Sequence, residues 1–358
     1  MQLADKYIFK KILLYTSGSI LIFTAIFSLF KFIEEIERVG RGNYDIFSAF
    51  WYTLFLTPSL LPLILFVAVL TGIILAIGNM HESKNFLILQ FASYSPWQIT
   101  LKVCFYVFVI FTISLIVLDN VSPDFQEFSK NYRSSKIGEN IFKNSEKNIW
   151  FKENSKFIHI KKNIEGSKLD ELSYFEIDDM KLKKIVLSDT GRIEDGNIIQ
   201  DNVSILSFSE SNNIDKLSFS SEQEHKTNFQ FNEDQLNTLN KKPHELNLIG
   251  LSKKIIYSIR TGIQQKDYFI ELVNRILLPV NLVSLVAIIM IFFFRRNSTT
   301  SISSRIIYGI VFSLIIHFVI KILTIYSLSM DNYFLAPQII FASLLAFFSF
   351  SNFRRQLF

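Results

Sequence analysis

Six stretches of about twenty predominantly apolar residues constrain this chain more than any other feature. They fall near 12 to 33, 52 to 79, 99 to 119, 270 to 294, 306 to 327 and 333 to 352. Each is long enough for a helix to cross the roughly 30 Å hydrocarbon layer of a bilayer, where no water is present to satisfy backbone groups. Three runs lie in the first third and three in the last quarter, and the roughly 140 residues between them are polar and punctuated like a soluble domain. The 49% hydrophobic content and the 37 phenylalanines therefore predict a membrane protein, with six transmembrane helices in a 3+3 arrangement around an inserted domain. Its divisions are 1 to 125, 126 to 265 and 266 to 358. Pro58 and Pro62 predict a bent or tilted second helix, and Pro279 a kinked fourth.

Lysine and arginine bias in the short flanking segments sets the orientation. Lys6, Lys10, Lys11, Lys84, Lys102, Arg295, Arg296, Arg305, Arg354 and Arg355 share one side, while the other holds Lys31, Arg38, Arg41 and Lys321. Both termini are expected in the cytoplasm and the inserted domain outside, which in a bacterial inner membrane is the periplasm. The first run exceeds the apolar core of a secretory signal and no small-x-small cleavage site follows, so it reads as a retained helix. The single cysteine, Cys104, lies in an apolar run and excludes an intramolecular disulfide. A net charge of +5 without a basic block interleaved with aromatics gives no footprint for nucleic acid.

From about 140 to 245 short β-rich runs alternate with turns: 149 to 151, 156 to 160, 174 to 177, 184 to 188, 204 to 208, 216 to 220 and 229 to 231. Asp195-Gly196 is a hairpin signal. The pattern predicts an all-β, jelly-roll-like domain. After Pro243, LIGLSKKIIYSIRTG reads as a helix leading back to the membrane. Between the second and third membrane helices, Phe86 to Phe91 follow the polar His81 to Asn85 and end before Pro96. That segment is either a short interfacial helix for a cytoplasmic partner or an extension of a membrane helix.

No residues support catalysis. The five histidines are scattered over both sides and the lipid region, so no zinc spacing results, and neither a phosphate-binding loop nor a nucleophile elbow is present. The charged stretch Lys31 to Asp45 carries more information. In helical register Lys31 can pair with Glu35 and Glu34 with Arg38, which makes a self-neutralised rim. Lys130 and Arg133 beyond the third helix, and Lys321 in the fifth, add cations near the same surface. If several converge, they form a site for anionic headgroups.

KFIEEIERVGRGNYD after the first helix, QFASYSPWQ from Gln90, NYR from Asn131, and Arg305 with Gly309 together resemble the lipopolysaccharide export permeases, in particular their LptG-type subunits. The resemblance runs the length of the chain in the same order. It implies a non-catalytic permease that extracts lipopolysaccharide from the outer leaflet of the inner membrane and passes it to a periplasmic bridge. It also implies an LptF-type partner permease, an LptC-type membrane-anchored protein and a dimer of LptB-type ATPases. ATP and Mg would be bound by the ATPase, with no cofactor in this chain. By the same resemblance Lys31, Arg38, Lys130 and Arg133 match phosphate-contacting positions, with Lys321 a further candidate. The segment from about 82 to 93 matches the coupling helix that enters the ATPase, with Glu82, Asn85, Phe86, Leu87, Leu89, Gln90 and Phe91 as its contact residues.

The chain departs from the family at three of these positions. Glu37 stands where a basic residue is frequent, Asn85 where the coupling helix usually has glutamate, and Ser93 where it usually has glycine. An amide carries no charge for an arginine of the ATPase. Two other readings are open to the sequence. One is a membrane-anchored periplasmic scaffold or mechanotransmitting subunit that moves no lipid, although its cytoplasmic segments are short for an output domain. The other is an ion-driven transporter, which lacks paired intramembrane carboxylates because Glu271 can pair with Arg275.

Overall fold

The computed structural model describes residues 3–91, 94–138, 149–153, 156–161, 168–178, 181–194, 197–211, 214–228, 241–261, 265–294 and 301–356. Among the described residues five helices are long and apolar enough to cross a membrane: α1 (Leu3–Ile36), α2 (Ile46–Glu82), α4 (Pro96–Ile137), α6 (Lys266–Phe294) and α7 (Ile302–Ser329). The sixth expected span is α8 (Ala336–Gln356), whose apolar part, Ala336–Ser351, is shorter. Between α2 and α4 lies α3 (Asn85–Phe91). These elements, apart from the end of α4, make one compact unit of residues 1–39, 45–130 and 266–358.

α2 and α6 occupy the centre of that unit, their apolar windows mostly buried, whereas α1, α4 and α7 expose most of theirs. Large apolar side chains such as Leu21, Phe30, Phe105 and Ile325 face outward, as lipid-facing or partner-facing helices require. Gly72 brings α1 and α2 together, since a Cβ there would stand 2.6 Å from the Thr16 Cα. Pro58 and Pro62 remain within one continuous α2, where the hydroxyls of Thr57 and Ser59 donate to the Thr53 and Leu56 carbonyls beside the missing backbone bond.

Polar contacts tie the helices at both ends. At the end bearing the N-terminus of α1, Asp5 pairs with Lys102 of α4 at 2.5 Å and Lys11 donates to Asn79 of α2 at 3.0 Å. At the other, Arg275 of α6 binds Asp119 of α4 at 2.6 Å and Glu271 of its own helix at 2.9 Å. Asn274 meets Thr324 of α7 there at 3.1 Å, and Lys266 meets Asp331 at 2.7 Å.

The second unit comprises residues 40–44 and 131–265. It contains a six-stranded antiparallel sheet in sequence order: β1 (Ile149–Glu153), β2 (Lys156–Lys161), β3 (Lys168–Asp178), β4 (Lys181–Glu194), β5 (Asn197–Ser211) and β6 (Ile214–Asn228). The inserted all-β domain is therefore present, and its described strands form one meander. Among the described residues consecutive strands pair antiparallel, with Glu153 facing Lys156, Asp178 facing Lys181, Glu194 facing Asn197 and Ser211 facing Ile214. The Asp195-Gly196 signal and the run at 229 to 231 lie outside the described residues.

One sheet face carries a closed core of Ile158, Ile160, Leu172, Tyr174, Val186, Ile198, Val203 and Ile205, against which Tyr257 packs. Tyr257 belongs to α5 (Leu248–Thr261), the helix expected after Pro243. Burial, with the Glu176 carboxylate adding to it, pushes the Tyr174 phenol up to about 12.

Candidate functional site

The segment between α2 and α4 becomes a separate helix because the chain breaks at Ser83 and Lys84. Ser83 caps α2, its N–H donating to the Asn79 carbonyl at 3.0 Å, and Lys84 takes the left-handed conformation at φ 56°. The short-helix expectation is thus met, with narrower bounds than 82 to 93. Glu82 is the last residue of α2, α3 ends at Phe91, and Ser93 lies outside the described residues.

Seven residues are too few for a helix to persist alone, so α3 depends on what it packs against. Phe86 is 3% exposed, its ring 5.1 Å from that of Phe294 in α6 and 6.2 Å from His81 in α2. His81 in turn lies 6.0 Å from Phe293, whose carbonyl accepts a 3.1 Å hydrogen bond from buried Arg305 at the start of α7. Leu89 is buried with Phe86 in the main core. On the other side of α3, Leu87, Ile88 and Phe91 are 50%, 61% and 88% exposed. Three large apolar side chains on one turn-and-a-half of helix form a surface that a partner can cover.

Asn85 turns inward. Its amide donates to the Tyr7 hydroxyl of α1 at 2.6 Å, and the Lys11 ammonium stands 5.9 Å from the Tyr7 ring centroid. Gln90 is partly buried on the same short helix.

The charged rim differs from its expected pairing. Lys31 binds Glu34 at 2.7 Å, not Glu35, and Arg38 lies 3.8 Å from Glu35, not against Glu34. Both pairs are i,i+3: Lys31 and Glu34 lie within α1, whereas Arg38 falls in the turn after Ile36, its N–H donating to the Glu35 carbonyl. The Lys31 side chain remains 41% exposed. A surface pair of this kind is worth only about 0–1 kcal/mol, so a phosphate can compete for the ammonium.

Lys130 is exposed on α4, and Arg133 follows one turn later in the segment belonging to the second unit. Lys321 is exposed on α7, four residues after His317, whose ring stacks on Phe66 at 5.2 Å. The five cations come from α1 and its following turn, α4 and α7. Glu271 pairs with Arg275 as the spacing indicates, and Asp119 joins them from α4. That third member was missed, as were Tyr7 and Arg305 as tethers of the short helix and its neighbours. Asp119 had a readable signal, an acid at the end of an apolar run, whereas the Tyr7 contact spans 78 positions and leaves none. Arg295 and Arg296 lie outside the described residues. Among those described, no group of three or more His, Cys, Asp or Glu side chains could hold a metal ion.

The family model for the lipopolysaccharide export system permease LptF/LptG matches residues 6–353. The chain is 22% identical over 324 residues to the lipopolysaccharide export system permease protein LptG of Haemophilus influenzae, covering 89% of each chain. It is 19% identical over 314 residues to the protein of the same name from Escherichia coli K12, covering 87% of each. With the match running through both groups of membrane helices and the sheet domain between them, the chain belongs to the LptF/LptG family of lipopolysaccharide export permeases.

Proposed function

We propose that this chain is the LptG-type permease subunit of an ATP-driven exporter that extracts lipopolysaccharide from the outer leaflet of the bacterial inner membrane and passes it to a periplasmic bridge. The observation that carries the reading is α3, held from within by Phe86 and Leu89 while it presents Leu87, Ile88 and Phe91 outward. A permease without a phosphate loop needs an external motor, and an anchored helix with an apolar outer face suits one. The motor is a dimer of LptB-type ATPases that bind ATP and Mg. An LptF-type permease completes the membrane cavity, and an LptC-type protein receives the lipid. Both termini and α3 lie in the cytoplasm and the sheet domain in the periplasm, in keeping with the lysine and arginine bias.

Lys31 is the leading headgroup contact. Among the described residues its exposed ammonium pairs with the surface carboxylate of Glu34, and Arg38, Lys130 and Lys321 are further cations of the same unit, with Arg133 an additional candidate. Lipid phosphates take the place of Glu34 as the partner of Lys31. Two substitutions in the reconstituted complex test the two ends. Lys31→Asp is expected to lower lipopolysaccharide binding and export; unchanged binding removes the phosphate role. Leu87→Asp is expected to lose the ATPase on purification; a full complement of ATPase removes the docking role.

A further inference from the structure

The short helix has two kinds of attachment. Through Phe86 and Leu89 it packs against the core shared by α2 and α6, a contact without strong direction that tolerates sliding. Through Asn85 it is joined to α1 by a directional hydrogen bond of 2.6 Å. Along the chain its link to α2 is the bent joint at Ser83 and Lys84.

The first three turns of α1 are gripped from several sides. Asp5 pairs with Lys102 and the Phe9 ring lies 5.6 Å from Tyr106, both on α4, while Lys11 binds Asn79 on α2. Tyr7 lies on α1 among these ties, and its hydroxyl accepts the hydrogen bond from Asn85 of α3. Buried Ile8 and Ile12 seat the same segment against the core. From Tyr7 the helix continues without a break to Lys31, roughly 36 Å away at 1.5 Å per residue. A displacement delivered at Tyr7 is therefore carried along one helix to the residue read above as the headgroup contact.

We propose that Tyr7 and Asn85 form a latch through which movement of α3, driven by the ATPase, reaches α1 and its outer end. The inference rests on the reading of α3 as the docking helix and adds two positioning residues to it. It also gives the amide at position 85 a task. A side chain committed to the Tyr7 hydroxyl links the motor's landing site to the lipid-facing helix, and does not face the motor itself.

The test uses the full complex reconstituted with its ATPase and loaded with lipopolysaccharide. Three quantities are read: ATPase retained, ATP hydrolysed, and lipopolysaccharide released per ATP. Tyr7→Phe removes one hydroxyl and leaves the ring. It is expected to keep the ATPase and its hydrolysis while release per ATP falls roughly fivefold, the factor that one net hydrogen bond corresponds to. Asn85→Asp, whose carboxylate accepts from the Tyr7 hydroxyl, is expected to hold release per ATP near the unaltered value. In the Tyr7→Phe background the same change is expected to have no effect.

Unchanged release per ATP in Tyr7→Phe overturns the latch, as does loss of the ATPase from that variant, which would make the contact a structural prop. If the unaltered complex itself releases no lipopolysaccharide on ATP, the exporter reading fails and the latch with it. If the unaltered complex does release lipid, an unaffected Tyr7→Phe removes the latch alone.

Discussion

Phe86→Ala is expected to unfold α3 while leaving the membrane bundle assembled. The ring is 3% exposed and packs between Phe294 and His81, so its truncation removes almost a whole buried aromatic side chain. Such changes cost about 3–5 kcal/mol, part of it from aromatic pairing. α3 has no length to absorb that loss, because a seven-residue helix is not stable alone. Its open fraction should rise, and amide hydrogen exchange over 85 to 91 should quicken by about 100-fold or more. Leu87 is half exposed, so Leu87→Ala should change exchange by roughly twofold at most. Exchange measured by mass spectrometry on the full chain in detergent or nanodiscs separates the two. Unchanged exchange in Phe86→Ala, or faster exchange in Leu87→Ala than in Phe86→Ala, would refute the anchoring argument.

Three further outcomes follow from the packing and charge pattern. Gly72→Val drives a branched side chain into the α1 backbone at Thr16, and thermal unfolding of the detergent-solubilised chain should show a loss of about 1–3 kcal/mol. An unshifted unfolding curve would mean that α1 and α2 do not need this close approach. Arg275→Met leaves Asp119 and Glu271 facing each other without their shared cation, at a cost of about 3 kcal/mol, and adding Asp119→Asn should recover part of it in the same assay. The raised Tyr174 pKa makes the sheet domain sensitive to alkali. The folded phenol keeps its proton up to about 12 while the unfolded one ionises near 10, so stability is full below 10 and declines as pH rises towards 12. Near-ultraviolet circular dichroism of the full chain across that range should report the decline, and Tyr174→Phe should remove this contribution.

The sequence made the membrane architecture legible because twenty apolar residues in a row admit few other structures, and the 3+3 grouping with its polar insert survives intact. The strands were legible in place but not in extent. β5 runs from Asn197 to Ser211, well beyond the apolar 204 to 208, because pairing with β4 and β6 holds polar residues in the ladder that no apolar alternation marks.

At the short helix, seven residues were too few for periodicity to say that Phe86 and Leu89 turn inward and Leu87, Ile88 and Phe91 outward. Rim pairing was not legible because helical spacing allows i,i+3 and i,i+4 partners alike, and Lys31 and Arg38 take the i,i+3 carboxylates, Glu34 and Glu35. Asn85 was visible as a departure from the family pattern. Its partner, Tyr7, was not, since a hydrogen bond between two helices leaves no local trace in one sequence.

The central claim, that this chain carries lipopolysaccharide under the drive of an ATPase docked on α3, is tested most directly by purifying the complex from its native membrane. Mass spectrometry identifies the co-eluting proteins and the bound lipid before and after ATP is added. The account predicts that an ATPase and lipopolysaccharide both co-purify, and that the lipid leaves with ATP and Mg but stays with a non-hydrolysable analogue. Recovery of neither, or lipid that stays bound through ATP hydrolysis, would contradict it.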